Sequence, residues 1–246
     1  MLFVHGLCMS HHCWENDDTN LSSEMAQKLG FTPVYLHYNT GQTIANNGRE
    51  LAAKLEELVN NWPIAITDIV IAGHSMGGLV ARSARYYGGN NNYNWLHANK
   101  KLASIGTPHN GAPLEKGVSV LENLMQLSPY ALPFTRLTKI RSRGIENLRQ
   151  GSITDIEDEF VALPIGVEYF ALAAVLNRKQ HSAAEKIIGD GLVTPDSALG
   201  QSRDPTRVLS IPSENKWTGY GIGHNEMLCH AEVFDQLTIW LQRRQF

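Results

Sequence analysis

The sequence predicts an α/β domain in which a mostly parallel sheet of about six strands is flanked by helices. Short apolar runs alternate with helical patterns from one end of the chain to the other, as in βαβ units. These runs lack the polar and apolar alternation of half-exposed strands, so both faces of the sheet are expected to be covered. The candidate strands are residues 2–4, 33–38, 68–72, 101–105, 167–173 and 207–211.

Two stretches between and after these runs have helical spacing of apolar residues. The stripes consist of Leu51, Leu55, Leu58 and Val59, and of Val233, Leu237, Trp240 and Leu241. Spacings of three and four residues place each set on one side of a helix. Each stripe therefore predicts an amphipathic helix that packs on the sheet.

The composition favours one folded domain over residues 1–246. Hydrophobic residues make up 43% of the chain and charged residues 18%, which excludes a disordered polypeptide. The net charge is −3, and no basic stripe indicates a nucleic-acid partner. No stretch of about 20 uncharged apolar residues predicts stable membrane insertion.

The ends and the cysteines bear on the cellular location. No basic segment followed by an apolar one precedes Leu2, so a cytoplasmic protein is expected unless a leader has been removed. The chain has three cysteines, Cys8, Cys13 and Cys229. An odd number of cysteines cannot all pair within the chain, which favours a reducing compartment.

Residues 111–163 interrupt the rhythm of strands and helices with about fifty residues. Their apolar residues keep helical spacing, and prolines cut the segment into short helices, so we predict a helical cap or lid over the carboxyl edge of the sheet. Leu121, Met125, Tyr130 and Phe134 are its candidate substrate-binding residues. They form either an acyl-chain groove or the contact that seats the cap on the core.

The residues from Gly73 to Gly77 read Gly-His-Ser-Met-Gly and lie between an apolar run and a helical pattern. A G-x-S-x-G sequence in that position predicts a nucleophile elbow, a tight turn that presents a serine hydroxyl above the sheet. Side chains at the two outer positions would clash within such a turn. Ser75 is therefore the candidate nucleophile.

A tetrahedral intermediate requires preorganised donors for its negative charge. One donor is expected to be the backbone N–H of Met76, which follows the candidate nucleophile. The second is expected in the loop after the first strand, where we predict Leu7, with Cys8 as the alternative.

A serine nucleophile needs a general base, and the fold places the acid and then the histidine after the serine in the chain. His224 lies in a glycine-rich loop before the last helical stripe, which is the expected position of the base. His230 is predicted to lie inside the final helix instead.

Two aspartates are candidates for the acid that orients the base. Asp190 lies in a Gly-Asp-Gly turn after the fifth candidate strand, and we favour it. Asp196 follows Thr194-Pro195 and has the position of a first-turn helix residue.

Taken together, these motifs resemble the esterase/lipase group of α/β-hydrolases, including bacterial lipases and the GPI-inositol-deacylase-like branch. The matching pieces are LFVHGL at the start, GHSMGG at the elbow, GTPHNGAP from Gly106, GDGLV at Asp190 and GxGH at His224. The resemblance implies the triad of Ser75, Asp190 and His224, and the oxyanion donors Leu7 and Met76. It also implies that His109 is a structural or pocket-lining residue.

The predicted function is hydrolysis of small-molecule or lipid-like carboxylic esters, with short-to-medium acyl chains, without a cofactor. A thioesterase or an amidase with the same triad is the alternative, and a non-catalytic binding protein is the alternative of another class. The residues from His5 to Cys13 include metal-ligand types but lack a second half-site, so we predict no metal. The sequence does not indicate the oligomeric state.

Overall fold

The computed structural model describes residues 1–15, 20–111, 147–148, 150–177 and 189–243. Six strands lie within these ranges: β1 (Leu2–Val4), β2 (Val34–Leu36), β3 (Ile69–His74), β4 (Asn99–Ile105), β5 (Glu168–Val175) and β6 (Lys216–Tyr220). They form one sheet in the order β2-β1-β3-β4-β5-β6, and all five pairings are parallel. The predicted α/β class with about six strands is confirmed.

Helices cover both faces of this sheet. They are α1 (Leu21–Lys28), α2 (Ile44–Asn61), α3 (Met76–Asn90), α4 (Trp95–Ala98), α5 (Pro195–Ala198) and α6 (Ala231–Leu241). The buried side chains of α2 and α3 belong to one hydrophobic core, and those of α1 and α6 belong to a second core on the opposite face. Both predicted amphipathic stripes thus lie on helices that pack against the sheet.

The short strand β1 illustrates why the strands have continuous apolar sequences. Leu2 and Val4 are part of the core under α2 and α3, whereas Phe3 is part of the core under α1 and α6. Successive side chains of a strand point to opposite faces, and here each face is buried. The same alternation occurs in β3, where Ile71 and Ala72 are buried in different cores.

The predicted strand at residues 207–211 is wrong. Residues 205–207 form a 3₁₀ turn, and residues 208–211 pair with no strand. Leu209 is buried against Gly200: its N–H donates to Gly200 O, and its side chain packs on the same glycine. The apolar character of Leu209 therefore reflects packing within a loop. The sixth strand is Lys216–Tyr220, which is only partly buried. An edge strand needs no apolar run, and the apolar pattern therefore did not reveal it.

All strand carboxyl ends meet at one edge of the sheet because every pairing is parallel. The first turn of α3 lies very close to the end of β1 at this edge. A Cβ atom added to Gly77 would lie 2.2 Å from Val4 O and 2.7 Å from His5 O, both of which are backbone atoms. Only glycine allows this approach, which brings the start of α3 against the loop after β1.

Replacement of Gly77 by alanine is expected to lower the free energy of unfolding by about 3 kcal/mol, because the new methyl group would collide with backbone that cannot move aside. For a chain of this size that is roughly 6–12 °C in Tm, measured by thermal unfolding. Gly89→Ala in the same helix is the matched control. No atom lies within 4 Å of its Cβ position, and the higher helix propensity of alanine is expected to leave Tm equal or slightly raised. Similar losses in both variants would contradict the close contact at Gly77.

Candidate active site

Ser75 occupies a strained turn between β3 and α3. Its φ of 53° and ψ of −123° lie in a region that residues other than glycine rarely adopt. Its N–H donates to Ile105 O at 2.8 Å, which ties the turn to the end of the neighbouring strand β4. A buried serine held in this conformation at a strand-to-helix turn has the geometry of a nucleophile elbow.

Asp190 and His224 form a buried pair. His224 Nδ1 lies 2.7 Å from Asp190 Oδ2, and both side chains are almost completely excluded from solvent. The His224 N–H also donates to Asp190 O at 3.1 Å. The other carboxylate oxygen, Asp190 Oδ1, accepts the N–H groups of Leu192 and Val193 at 3.0 and 2.8 Å. The carboxylate is therefore fixed on both sides.

The hydrogen bonds of this pair assign the tautomer of His224. An ionised carboxylate only accepts hydrogen bonds, so Nδ1 carries the proton and Nε2 is left with a free lone pair. Nε2 is buried and has no hydrogen-bond partner in the described part of the chain. A histidine with a free, buried nitrogen and a carboxylate on its other nitrogen has the form of a general base.

The segment at the end of β4 brings Ser75 and His224 to the same place. Ile105 O accepts the Ser75 N–H, and the next residue, Gly106, contacts the imidazole of His224. A Cβ atom at Gly106 would lie 3.2 Å from His224 Cε1. The ring of His74, directly before Ser75, also lies with its centroid 4.8 Å from that of His224. The end of β4 therefore contacts both the turn of Ser75 and the imidazole of His224, which are 149 positions apart in the sequence.

The loop after β1 lies directly against Ser75. A Cβ atom at Gly6 would be 3.1 Å from Ser75 Cβ, so the following residue, Leu7, is close to the candidate nucleophile. The N–H of Cys8 donates to Thr40 Oγ1 at 3.3 Å and is therefore already engaged. Of the two predicted loop donors, Cys8 is thus the one whose amide has a partner within the chain.

Met76 is the first residue of α3, and its N–H has no acceptor within the helix because the first N–H groups of a helix are unpaired. The positive end of the helix dipole points to the same position. The start of α3 thus presents a backbone donor beside Ser75.

His5 holds the loop after β1 in place. Its carbonyl oxygen accepts the hydroxyl of Tyr38 at 2.7 Å, and its ring stacks on that of Tyr38 with a centroid distance of 4.4 Å. Burial, together with the charge of nearby His37, lowers the pKa of His5 to about 4. His5 is therefore a neutral, structural residue at neutral pH.

Comparison with known proteins identifies the family of this chain. Residues 1–163, about two thirds of the chain, match the family model described as the PGAP1-like alpha/beta domain. The chain belongs to the PGAP1-like alpha/beta domain family. No curated protein sequence matches the chain significantly.

Solved structures show that this PGAP1-like domain has the α/β-hydrolase fold, as predicted. A lipase of Bacillus licheniformis in its mature form has 22% sequence identity and a TM-score of 0.60, covering 98% of this chain and 90% of its own. A thioesterase of the prodiginine pathway of Streptomyces coelicolor has 14% identity and a TM-score of 0.56, covering 98% and 84%. An esterase of Pyrococcus furiosus has 14% identity and a TM-score of 0.57, covering 98% and 81%.

Three further acidic or basic residues of the PGAP1-like domain lie on helices or at a helix cap. Asp196 is exposed in the first turn of α5, where Thr194 caps the helix. His97 is exposed on α4. His230 was predicted inside the final helix, but it is the N-cap of α6 and precedes its first turn. Residues at a cap have non-helical backbone, which the apolar stripe alone does not locate.

His109 lies in the core beneath the site. Its Nδ1 accepts a hydrogen bond from Arg82 at 3.3 Å, so Nε2 carries the proton and donates to Ser104 Oγ at 3.1 Å. Burial lowers the pKa of His109 well below its ordinary value, and the charge of Arg82 lowers it further. His109 is thus a neutral structural residue, as the resemblance implied.

Most of the predicted cap lies outside the described residues, including the four candidate substrate-binding residues Leu121, Met125, Tyr130 and Phe134. Its described end is anchored to α3. Ser83 Oγ donates to Ile153 O at 2.6 Å, and Arg82 Nη2 donates to Val161 O at 2.7 Å. The returning part of the segment is therefore attached to α3, the helix that follows Ser75.

The described ranges hold neither a metal-binding cluster nor a membrane-spanning helix. No three His, Cys, Asp or Glu side chains of this part of the chain converge as a metal ion would require. None of the helices described here combines the length and apolar character needed to cross a bilayer.

His74 is a residue of the candidate site that the sequence did not reveal. Its Nε2 lies 3.0 Å from His224 O, so it contacts the candidate base directly. The available signal was its position immediately before Ser75, but the motif leaves that residue type open.

Proposed function

We propose that this PGAP1-like domain is a serine hydrolase that cleaves carboxylic esters, with Ser75, His224 and Asp190 as its triad. One observation carries the proposal: a strained serine lies beside a buried Asp–His pair whose outer nitrogen has no partner. Each member has the form that its chemical role requires, and a purely structural serine would not need a costly backbone conformation.

The reaction proceeds through an acyl-enzyme. Ser75 Oγ attacks the acyl carbonyl carbon while His224 Nε2 accepts the hydroxyl proton, and Asp190 stabilises the imidazolium that forms. Collapse of the tetrahedral intermediate breaks the bond to the alcohol, which leaves with the proton from His224. A water molecule then attacks the acyl-enzyme in the same way, and the acid is released with Ser75 restored.

The amides of Leu7 and Met76 are the proposed oxyanion hole. They belong to two elements that Gly77 allows to pack closely, so the donors are positioned before substrate arrives. Loss of one such donor typically costs about 10²–10³ in rate. Both are backbone groups, and no step requires a cofactor.

We further propose a small-molecule or lipid-like ester with a short-to-medium acyl chain as substrate. The candidate acyl-binding residues belong to the undescribed part of the cap, so this preference rests on the sequence. The fold is shared with lipases, an esterase and thioesterases, and a thioester remains the alternative substrate.

Labelling with a fluorophosphonate probe tests the proposed nucleophile, because such probes phosphonylate activated serines. The wild type is expected to gain one adduct, mapped to Ser75 by peptide mass spectrometry, and Ser75→Ala to gain none. Ser213→Ala, at an exposed 3₁₀ turn, is the matched control and should label like the wild type. An unlabelled but folded wild type, or an adduct at another serine, would overturn the proposal.

Paired substrates then separate the ester from the thioester alternative. Initial rates on a butyryl oxyester and the corresponding butyryl thioester are compared at equal concentration, and Ser75→Ala gives the background. A higher kcat/KM for the oxyester supports the esterase, and the reverse order supports the thioesterase.

A further inference from the structure

His74 connects the element that bears the nucleophile to the base. It is the last residue of β3, it is completely buried, and its Nε2 lies 3.0 Å from the carbonyl oxygen of His224. The two imidazole rings are 4.8 Å apart between centroids. Its neighbour Ser75 is the candidate nucleophile, so the contact bridges the two halves of the proton-transfer pair.

The acceptor assigns the protonation state of His74. A carbonyl oxygen only accepts, so Nε2 carries the proton and donates it, and Nδ1 is unprotonated. Nδ1 is buried, lies beside Gly6, and has no hydrogen-bond partner within the described ranges. Burial lowers the pKa of His74 well below its ordinary value, and His224 lowers it further. His74 is therefore a neutral donor that does not take part in proton transfer itself.

The remaining hydrogen bonds of the loop around His224 lead away from the nucleophile. Gly221 and Ile222 donate to Val175 O, Gly223 donates to Glu226, and His224 is bound to Asp190. All of these partners belong to the part of the chain that follows β4. In the described part of the chain, the bond from His74 is the only hydrogen bond between residues 221–225 and β3.

We propose that His74 is a positioning residue that sets the separation of Ser75 Oγ and His224 Nε2. The inference rests on the proposed function, since it concerns the same proton transfer. Asp190 orients the imidazole about its own axis, whereas His74 fixes where the backbone of His224 lies relative to the elbow. A misplacement of about 1 Å in a reacting pair can cost about 10²-fold in rate.

Three substitutions test this role. His74→Gln keeps an N–H donor near the position of Nε2, whereas His74→Asn has the same chemistry on a side chain that is too short, and His74→Leu has no donor. We expect His74→Leu and His74→Asn to lower kcat for a butyryl ester and the rate of fluorophosphonate labelling by about 10–100-fold. KM should change less than about threefold, and His74→Gln should recover most of the rate.

Folding and labelling together make the outcomes distinguishable. Each variant is first checked for cooperative thermal unfolding, and His74→Asn replaces His74→Leu if the apolar variant does not fold. Wild-type labelling rates in folded His74→Asn or His74→Leu, or equal losses in all three variants, would overturn the positioning role alone. A wild type that is not labelled would overturn the proposed function and this inference with it.

Discussion

Replacement of His224 by alanine is expected to lower kcat for ester hydrolysis by about 10⁵–10⁶-fold, since the members of a triad act as a unit. The buried lone pair on Nε2 is the proton acceptor of the proposed triad, and it has no other partner in the described part of the chain. Without it, the serine hydroxyl must attack while still protonated, and serine is a weak nucleophile in that state. The measurement is kcat on a butyryl ester under saturating conditions.

His97→Ala is the matched control for this loss. His97 is exposed on α4 and has no role in the proposed site, so kcat should stay within about twofold of the wild type. Both variants are checked for cooperative thermal unfolding at the assay temperature, which separates loss of chemistry from loss of fold. A His224→Ala variant that retains more than about a tenth of the wild-type kcat would exclude His224 as the base.

Replacement of Asp190 by asparagine is expected to lower kcat by about 10⁴-fold, although the side chain keeps its shape. The hydrogen bonds from Leu192 and Val193 require an acceptor at Oδ1, so the oxygen of the asparagine takes that position and its NH2 group must face His224. That group donates, and His224 Nδ1 must then accept. The proton of the neutral ring moves to Nε2, which can no longer take the proton of Ser75.

Asp196→Asn is the matched control, because Asp196 was the alternative acid and lies exposed in the first turn of α5. Its kcat should remain within about twofold of the wild type. The two variants are compared by kcat/KM on the same ester, with Tm as the measure of folding. A large loss in Asp196→Asn and a small one in Asp190→Asn would reverse the assignment of the acid.

The sequence predicted the parts of this protein whose physical requirements are local. The elbow needs glycines at fixed offsets from Ser75, and a strand covered on both faces needs a continuous apolar run, so both are readable from neighbouring residues. Five of the six strands were located in this way. The sixth was misplaced because the edge strand Lys216–Tyr220 is only partly buried, whereas the loop at 207–211 is apolar for reasons of packing.

The choice among alternatives depended on contacts between distant parts of the chain. Leu7 is the predicted loop donor and Cys8 the alternative, and the hydrogen bond from Cys8 to Thr40 argues against Cys8. His74 is an unspecified position in the elbow motif, and only its contact with His224 gives it a role. Partners 32 and 150 residues away leave no local pattern.

By itself the sequence determined the fold class and the tight turn at Ser75, because backbone sterics and hydrophobic periodicity act over a few residues. Only the tertiary structure decided which aspartate reaches His224, which amide of the first loop is engaged by Thr40, and which side chain joins His224 to the elbow. Those outcomes depend on hydrogen bonds that form when the parallel sheet brings its carboxyl ends to one edge.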